Sequence, residues 1–334
     1  MSPSISSGPR QRNRAPGPPP TSTPSPAPDL SVIIPCYNAA DTLRAQLRAL
    51  AAQSCARGWE VIVADNGSTD DLPAVIADAR TALPALRLVD ASDLQGVSHA
   101  RNVGVAHARA EYLLFCDADD VVGENWLTGM AEALDRHEFV AGRFDFTRLN
   151  DPAAQGGREA VQQTGLIDRD YLPYAGGGNM GIRRSVFRRV GGFDEQLPCL
   201  EDVDFCWRVQ EQGTPLTFAP EALLHVRVRP TSLGGFRQAR NYATYYVLVR
   251  ERHGVPTFAR ARVWSMLRGG VPKHLRAALT IRSSSDLYTW LWEVGWFLGL
   301  LRGLRRARTA EFSSVKGTPR PGRTEPASRA GPTG

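Results

Sequence analysis

Lysine is nearly missing: of forty basic residues in the 334-residue chain only Lys273 and Lys316 are lysines, so the positive charge is guanidinium. Cysteine is scarce and scattered, at 36, 55, 116, 199 and 206. The number is odd and no pair forms C-x-x-C, which excludes a disulfide framework and a thiolate zinc site and suits a reducing, cytoplasmic compartment. No apolar run reaches the roughly 20 residues that a membrane span needs. The first 29 residues are rich in Pro and Ser and have no apolar stretch, so a secretory signal is not expected there and disorder is. Residues 311–334 read the same way. There is no internal repeat.

What is present is enough apolar material, 42% of residues, for one large domain or two modest ones. Charge is unevenly placed. Arg227 to Arg308 holds fifteen Arg and one Lys against Glu251, Asp286 and Glu293, a net +13 in a chain of net +6. A basic half of this kind suits phosphate-bearing partners, lipid head groups or nucleic acid, or is a plain solvated arginine surface.

Short apolar runs alternate with helical patterns. Leu30–Pro35, Trp59–Ala64, Arg87–Asp90 and Tyr112–Cys116 read as buried strands. Helices are expected over 39–53, with Asn38 as its cap, and over 73–82 and 97–108. Short alternation of this sort predicts a doubly wound, mostly parallel α/β sheet. Ligands bind such sheets outside the carboxyl ends of the strands. Three polar clusters stand at those ends: Pro35-Cys-Tyr-Asn38, Asp65-Asn-Gly-Ser68 and Asp117-Ala-Asp-Asp120. Further strands are expected at 139–147 and 223–228, short helices at 185–190 and 202–212, and two or three helices after that. The glycines of Ala175-Gly-Gly-Gly-Asn-Met-Gly181 suggest backbone lying close to a ligand.

Three carboxylates within four residues repel one another unless a cation offsets them. They could merely cap the helix from Trp126 onward. A calcium loop of the EF-hand type is excluded, because its sixth position, Val122, is not glycine. A phosphatase resembling the haloacid dehalogenase family fits the form of Asp117-Ala-Asp119-Asp120-Val121. The pair lies behind three strand–helix units, however, and the one later candidate amine in the folded part, Lys273, follows the acid pair Glu201-Asp202. A divalent ion carrying a diphosphate also accounts for the trio, since Mg²⁺ or Mn²⁺ takes one or two carboxylates and completes its shell with water and phosphate oxygens.

With these pieces assembled, the chain resembles the inverting family 2 glycosyltransferases of the GT-A fold. The resemblance covers about 30–228 and rests on Val32-Ile-Ile-Pro-Cys-Tyr-Asn38, Val63-Ala-Asp-Asn-Gly-Ser-Thr-Asp70, Gly96-Val-Ser-His-Ala-Arg-Asn-Val-Gly104, Phe115-Cys-Asp-Ala-Asp-Asp120, Gly178-Asn-Met-Gly181, Gly191-Gly-Phe-Asp-Glu195 and Glu201-Asp-Val-Asp-Phe-Cys-Trp-Arg208. Asn66 departs from it, standing where the family more often has a second Asp.

The resemblance implies a nucleotide-binding half at 30–120, an acceptor half at 121–228 and, beyond it, a basic helical extension at 229–310. It implies Pro35 and Tyr37 beside the nucleobase, Asp65 bonded to the base and Arg101 facing the diphosphate. It places Asp117 at the ribose or a metal-bound water, Asp119 on Mg²⁺ or Mn²⁺, and Asp202 as general base with Glu201 beside it. Gly178 and Asn179 would form the acceptor wall. His225 would contact metal or phosphate. The partners implied are a nucleotide-diphosphate sugar and a glycan or lipid-linked acceptor, in cell-envelope or polysaccharide synthesis, with no nucleic acid. A non-catalytic sugar- or nucleotide-binding relative is the alternative of another class.

The run Tyr288–Leu301 with its three Trp, followed by Arg302–Arg308, is too short to span a bilayer and contains Glu293. It fits a helix lying among anionic head groups through 286–310, at the inner face of the cell membrane, or else a core helix or dimer face.

Overall fold

The computed structural model describes residues 27–151, 161–169, 171–229, 231–255 and 260–307. Apart from 27–29, the two expected tails lie outside these residues.

The strands alternate cleanly. In β1 (Leu30–Cys36), Val32 and Ile34 face one layer and Ile33 the other. Val61 and Val63 against Ile62 do the same in β2 (Trp59–Asp65), and Leu114 and Cys116 against Phe115 in β4 (Tyr112–Cys116). This period-2 pattern with both faces apolar is what a sheet covered on both sides requires. On the first face lie α1 (Ala40–Ala51), α2 (Leu72–Ala79) and α4 (Trp126–Arg136). On the second lie α3 (Val97–His107), α5 (Arg184–Val190) and α6 (Glu201–Glu211).

The remaining strands are β3 (Leu86–Asp90), β5 (Val121–Val122), β6 (Phe139–Asp145), β7 (Asn179–Arg183) and β8 (Thr217–His225). The eight strands are ordered β3-β2-β1-β4-β7-β6-β8-β5. β3, β2, β1 and β4 are parallel neighbours, so the three polar clusters stand side by side at one edge. Cys36 is level with Asp65, and two residues beyond the Ile33–Phe115 pair Pro35 comes level with Asp117. β7 is antiparallel to both β4 and β6, while β6 and β8 are parallel. The sheet is therefore parallel in its first half and mixed in its second.

Two expectations change. Asn38 does not cap α1: it sits at φ 48°, and its Oδ1 accepts from Thr69 N at 2.7 Å. Asp70 serves the helix instead, Oδ2 accepting from Ala40 N at 2.8 Å. Nor does the carboxylate trio cap α4, whose cap position is Asn125 with no side-chain bond.

Three helices follow the sheet: α7 (Ser232–Arg252), α8 (Arg260–Ala278) and α9 (Ser284–Arg306). α9 starts with a reciprocal capping box between Ser283 and Asp286. It then runs parallel to α7 at close range. A methyl group at Gly295 or Gly303 would fall within 2.6 Å of a carbonyl oxygen, that of Phe236 or Thr244, and one at Gly299 would meet Arg240 O closer still. Trp290 and Trp296 look inward. Trp290 Nε1 donates to His274 O at 2.8 Å, and Trp296 lies against Tyr246 with ring centroids 5.9 Å apart. The run 286–307 is thus a packed helix. Among the described residues, no helix is long and apolar enough to cross a membrane.

Candidate active site

The turn after β2 is laced to the exit of β1. Ser68 Oγ accepts from Asn38 N at 3.1 Å, and Asp65 Oδ1 accepts from Ser68 N at 2.8 Å. Tyr37 projects from this edge, 55% exposed, as an aromatic face open to stacking. Pro35 is half-buried beside it. Asn66 points the other way and explains its departure from the expected Asp. Its Nδ2 donates to Ala91 O and to Leu94 O at 2.8 Å, and its Oδ1 accepts from Gly96 N at 2.7 Å. An amide can donate and accept at once, which a carboxylate cannot. Asn66 therefore pins the loop that leads into α3, and through it Arg101.

Arg101, on α3, is buried and joins the two halves of the site. Nη2 donates to Asp117 Oδ1 at 2.9 Å and Nη1 to Glu201 Oε1 at 2.8 Å, while Phe193 lies under the guanidinium at 5.3 Å. Asp202 also feels its charge. Both Nη groups are thus held by carboxylates, an arrangement that the expectation of a diphosphate contact did not include. Nε is buried with no partner.

The glycine segment threads between these groups. A methyl group on Gly177 would come within 2.7 Å of Arg101 Nη1, and one on Gly178 within 2.5 Å of Asp117 Oδ2. The glycines are needed because the backbone passes against the protein's own acids and guanidinium. Gly177 N also donates to Asp202 Oδ2 at 3.1 Å. Asn179, expected in the acceptor wall, turns away from the cleft. It is fully buried, with Oδ1 accepting from Trp126 Nε1 at 2.7 Å and Nδ2 donating to Arg143 O and Ala222 O at 3.0 and 3.1 Å. It ties β7 to its neighbours.

Glu201 and Asp202 open α6. Leu200, just before them, holds φ 60°, a left-handed conformation costly for a branched side chain. The other non-glycine residues with positive φ among those described are Asn38, at the β1 exit, and Gln162, whose Oε1 accepts from Gly176 N at 2.9 Å. All three stand around this site. Burial and the neighbouring Glu201 charge push the Asp202 carboxyl up to about 7, against the pull of Arg101 and two backbone donors. A carboxylate so placed can take a proton near neutral pH.

Asp119 and Asp120 are raised by burial first and by neighbouring acids second, Asp120 well above the usual carboxylate range. Asp120 Oδ1 accepts from Arg227 N at 2.8 Å, and Asp119 O from Arg227 Nε at 3.0 Å. Among the described residues, no side chain pairs with the Asp119 carboxylate. Arg101 pairs with Asp117, but Arg227 and Arg229 leave Asp119 raised and Arg227 leaves Asp120 raised, so a divalent ion would supply further positive charge. No group of three His, Cys, Asp or Glu among the described residues could hold a metal unaided. Asp117 and Asp119 are carboxylates of the kind that would hold an ion whose shell is completed by phosphate and water. His225 is level with Val121, next to Asp120, but its Nδ1 lies 2.6 Å from Asp145 Oδ2 and it does not line the cleft.

A cleft of about 1790 Å³ gathers Arg101, Asp117, Asp119, Gly178, Glu201 and Asp202. Pro35, Tyr37 and Asp65 lie outside its lining, on the strand edge next to it. Sequence reasoning missed part of the wall. Tyr242 of α7 lines the cleft, its phenol raised by burial and by Asp202 and Glu201. Tyr174 is raised by burial and borders the same space. Arg227 and Arg229 lower Asp119 electrostatically. The two arginines were visible only as bulk charge, and Tyr242 falls beyond the stretch covered by motifs.

A family model described as Glycosyl transferase family 2 matches residues 31–191, and one described as Glycosyl transferase family group 2 matches residues 112–302. The chain is 29% identical over 202 residues to glycosyltransferase AglE of Haloferax volcanii, covering 59% of this chain and 66% of that one. It is 30% identical over 211 residues to the pre-mycofactocin glycosyltransferase of Mycobacterium tuberculosis, covering 59% and 42%. These matches span less than two thirds of the relatives' own length. In structure, the mannosyltransferase PcManGT from Pyrobaculum calidifontis, in complex with GDP-Man and Mn²⁺, is similar with a TM-score of 0.60 at 19% identity, covering 84% of this chain and 88% of that one. S. aureus TarS 1–349 in complex with UDP-GlcNAc gives 0.50 at 20% identity, covering 66% of each chain. Both likenesses are of fold.

Proposed function

The chain belongs to glycosyl transferase family 2 and has the GT-A fold, and from that premise we propose that it moves a sugar, with inversion, from a nucleotide-diphosphate donor to an acceptor hydroxyl. The observation that carries this reading is Arg101 bonded at once to Asp117 and Glu201, beside an Asp202 raised to about 7. It sets an acidic shelf for a donor against a base for an acceptor.

The base of the nucleotide stacks by Tyr37 and Pro35, and Asp65 accepts from it through Oδ2, which has no donor among the described residues. Asp119, with Asp117 near it, would hold Mg²⁺ or Mn²⁺. The chemistry such an ion supplies when bound is neutralisation of charge on the departing diphosphate. Arg227 and Arg229, beside Asp119, add positive charge on the same side. Asp202 takes the proton of the acceptor hydroxyl as its oxygen attacks the anomeric carbon opposite the leaving group. With one displacement and no enzyme nucleophile, the configuration inverts. Glu201, held by Arg101, keeps Asp202 raised and shapes the acceptor side. Gly177 N fixes the Asp202 carboxylate at the wall.

The acceptor is a glycan or a lipid-linked glycan of a cell-envelope or polysaccharide pathway. Attachment to the inner face of the membrane belongs to the same reading. It is supported by the net +13 of Arg227 to Arg308.

A hydrolysis screen over common nucleotide sugars, followed across pH, tests the reading. Only ionised Asp202 can accept a proton, so kcat/KM for the accepted donor should fall below about pH 7, by roughly tenfold per unit. No cleavage of any donor, or a rate that rises as pH falls from 8 to 5, would overturn it.

A further inference from the structure

From Arg252 through Ser285 the chain has no Asp or Glu, yet holds six Arg and one Lys. All of α8 lies in this stretch, and its described side chains show two sides. Gly270 and His274 rest on α9: a methyl group at Gly270 would touch Phe297 at 2.8 Å, and the His274 and Phe297 rings are 5.4 Å apart. The same side, with Gly269 and Lys273, lines the cleft that holds Asp202. The other side presents Val271, Leu275 and Leu279, 46%, 65% and 86% exposed. They are spaced four apart, Leu279 in the turn that closes the helix, and so form one stripe. Arg268, Arg276 and Arg282 are exposed around it.

The geometry points to α8, rather than α9, as the surface that meets an anionic lipid bilayer. Leucines exposed to this degree are costly in water and gain by entering the acyl boundary, while a rim of three guanidiniums, with Asp286 the acid beside Arg282, meets lipid phosphates. On α9 the glycine stripe and Trp296 pack on α7 and Trp290 bonds to α8, and its exposed Leu287 and Leu298, at 39% and 42%, are less open than Leu275 and Leu279. Because the inner side of α8 is a wall of the cleft, docking sets the cleft mouth at the bilayer surface, where a lipid-linked acceptor reaches Asp202 without leaving the membrane. The inference rests on the proposal that the chain attaches to a membrane, and is independent of the sugar-transfer chemistry.

The test is flotation of the full chain with phosphatidylcholine vesicles, with and without phosphatidylserine. The pair Leu275→Glu and Leu279→Glu is compared with wild type, and Tm and oligomeric state are measured for both. Wild type should float with the anionic vesicles alone and be released by salt. The double variant should lose about tenfold or more of its bound fraction, with unchanged Tm. Equal flotation of both proteins would overturn the assignment to α8 while leaving attachment elsewhere. Absence of wild-type flotation would overturn attachment and this inference together. A wild-type dimer that the double variant abolishes, with flotation unchanged, would make the stripe a contact between copies and overturn the inference as well.

Discussion

Asp202→Asn should lower sugar transfer by about 10²–10⁴-fold, the usual contribution of a positioned general base, while nucleoside diphosphate binding changes little. The amide is nearly isosteric but cannot take a proton from the acceptor. Both carboxylate oxygens accept backbone N–H groups, from Val203 at 2.8 Å and Gly177 at 3.1 Å. An amide has one acceptor oxygen, so one of these bonds is lost, at about 1 kcal/mol. Tm should therefore dip slightly. The donor shelf at Asp117 and Asp119 is in the turn between β4 and β5, not on α6, and keeps its charge. Initial rates together with nucleotide titration separate the effects. Near-normal turnover would remove Asp202 from its role.

Arg101→Lys should be nearly as damaging, by a different route. The guanidinium makes two bonds in diverging directions, to Asp117 and Glu201, and a lysine ammonium cannot reproduce that fork. Arg101 and Glu201 are buried, so breaking such a pair costs on the order of 3–5 kcal/mol. The lower end applies here, because the Asp117 side chain is 34% exposed and solvent screens its share. The expected result is a Tm several degrees lower and weaker donor binding. A lysine keeps the positive charge, whereas Arg101→Met removes it and disfavours ionised Asp202, so in that variant the acid limb of the rate profile should move to higher pH. An unchanged profile would mean that Arg101 does not act on Asp202.

Much of the first half could be read from apolar runs bounded by turn residues. In β1, β2 and β4, strand period, length and polar exit agree, and parallel order then brings the clusters together. The same pattern argued against a phosphatase, and membership of the family removes it. β7 was hidden because its approach is glycine-rich: those residues looked like a ligand loop, whereas they allow backbone to pass Arg101 and Asp117. Asn179 was misplaced for the same reason, since nothing local tells a cleft amide from a buried tie between strands. Glu201 and Asp202 could be found from their motif, but not the bond from Glu201 to an arginine a hundred residues earlier. The tryptophans of α9 suggested a lipid face; that Trp290 turns towards α8 and Trp296 towards α7, both half-buried, is a tertiary fact.

The central claim is that the acids after β4 hold a divalent ion together with a nucleoside diphosphate. Calorimetric titration of the purified chain with UDP, GDP and dTDP, each with and without Mn²⁺, tests it most directly. The account predicts that one of the three binds with Mn²⁺ and at least about tenfold more weakly after metal removal. Equal affinity without the ion, or no binding of any of the three in its presence, would contradict it.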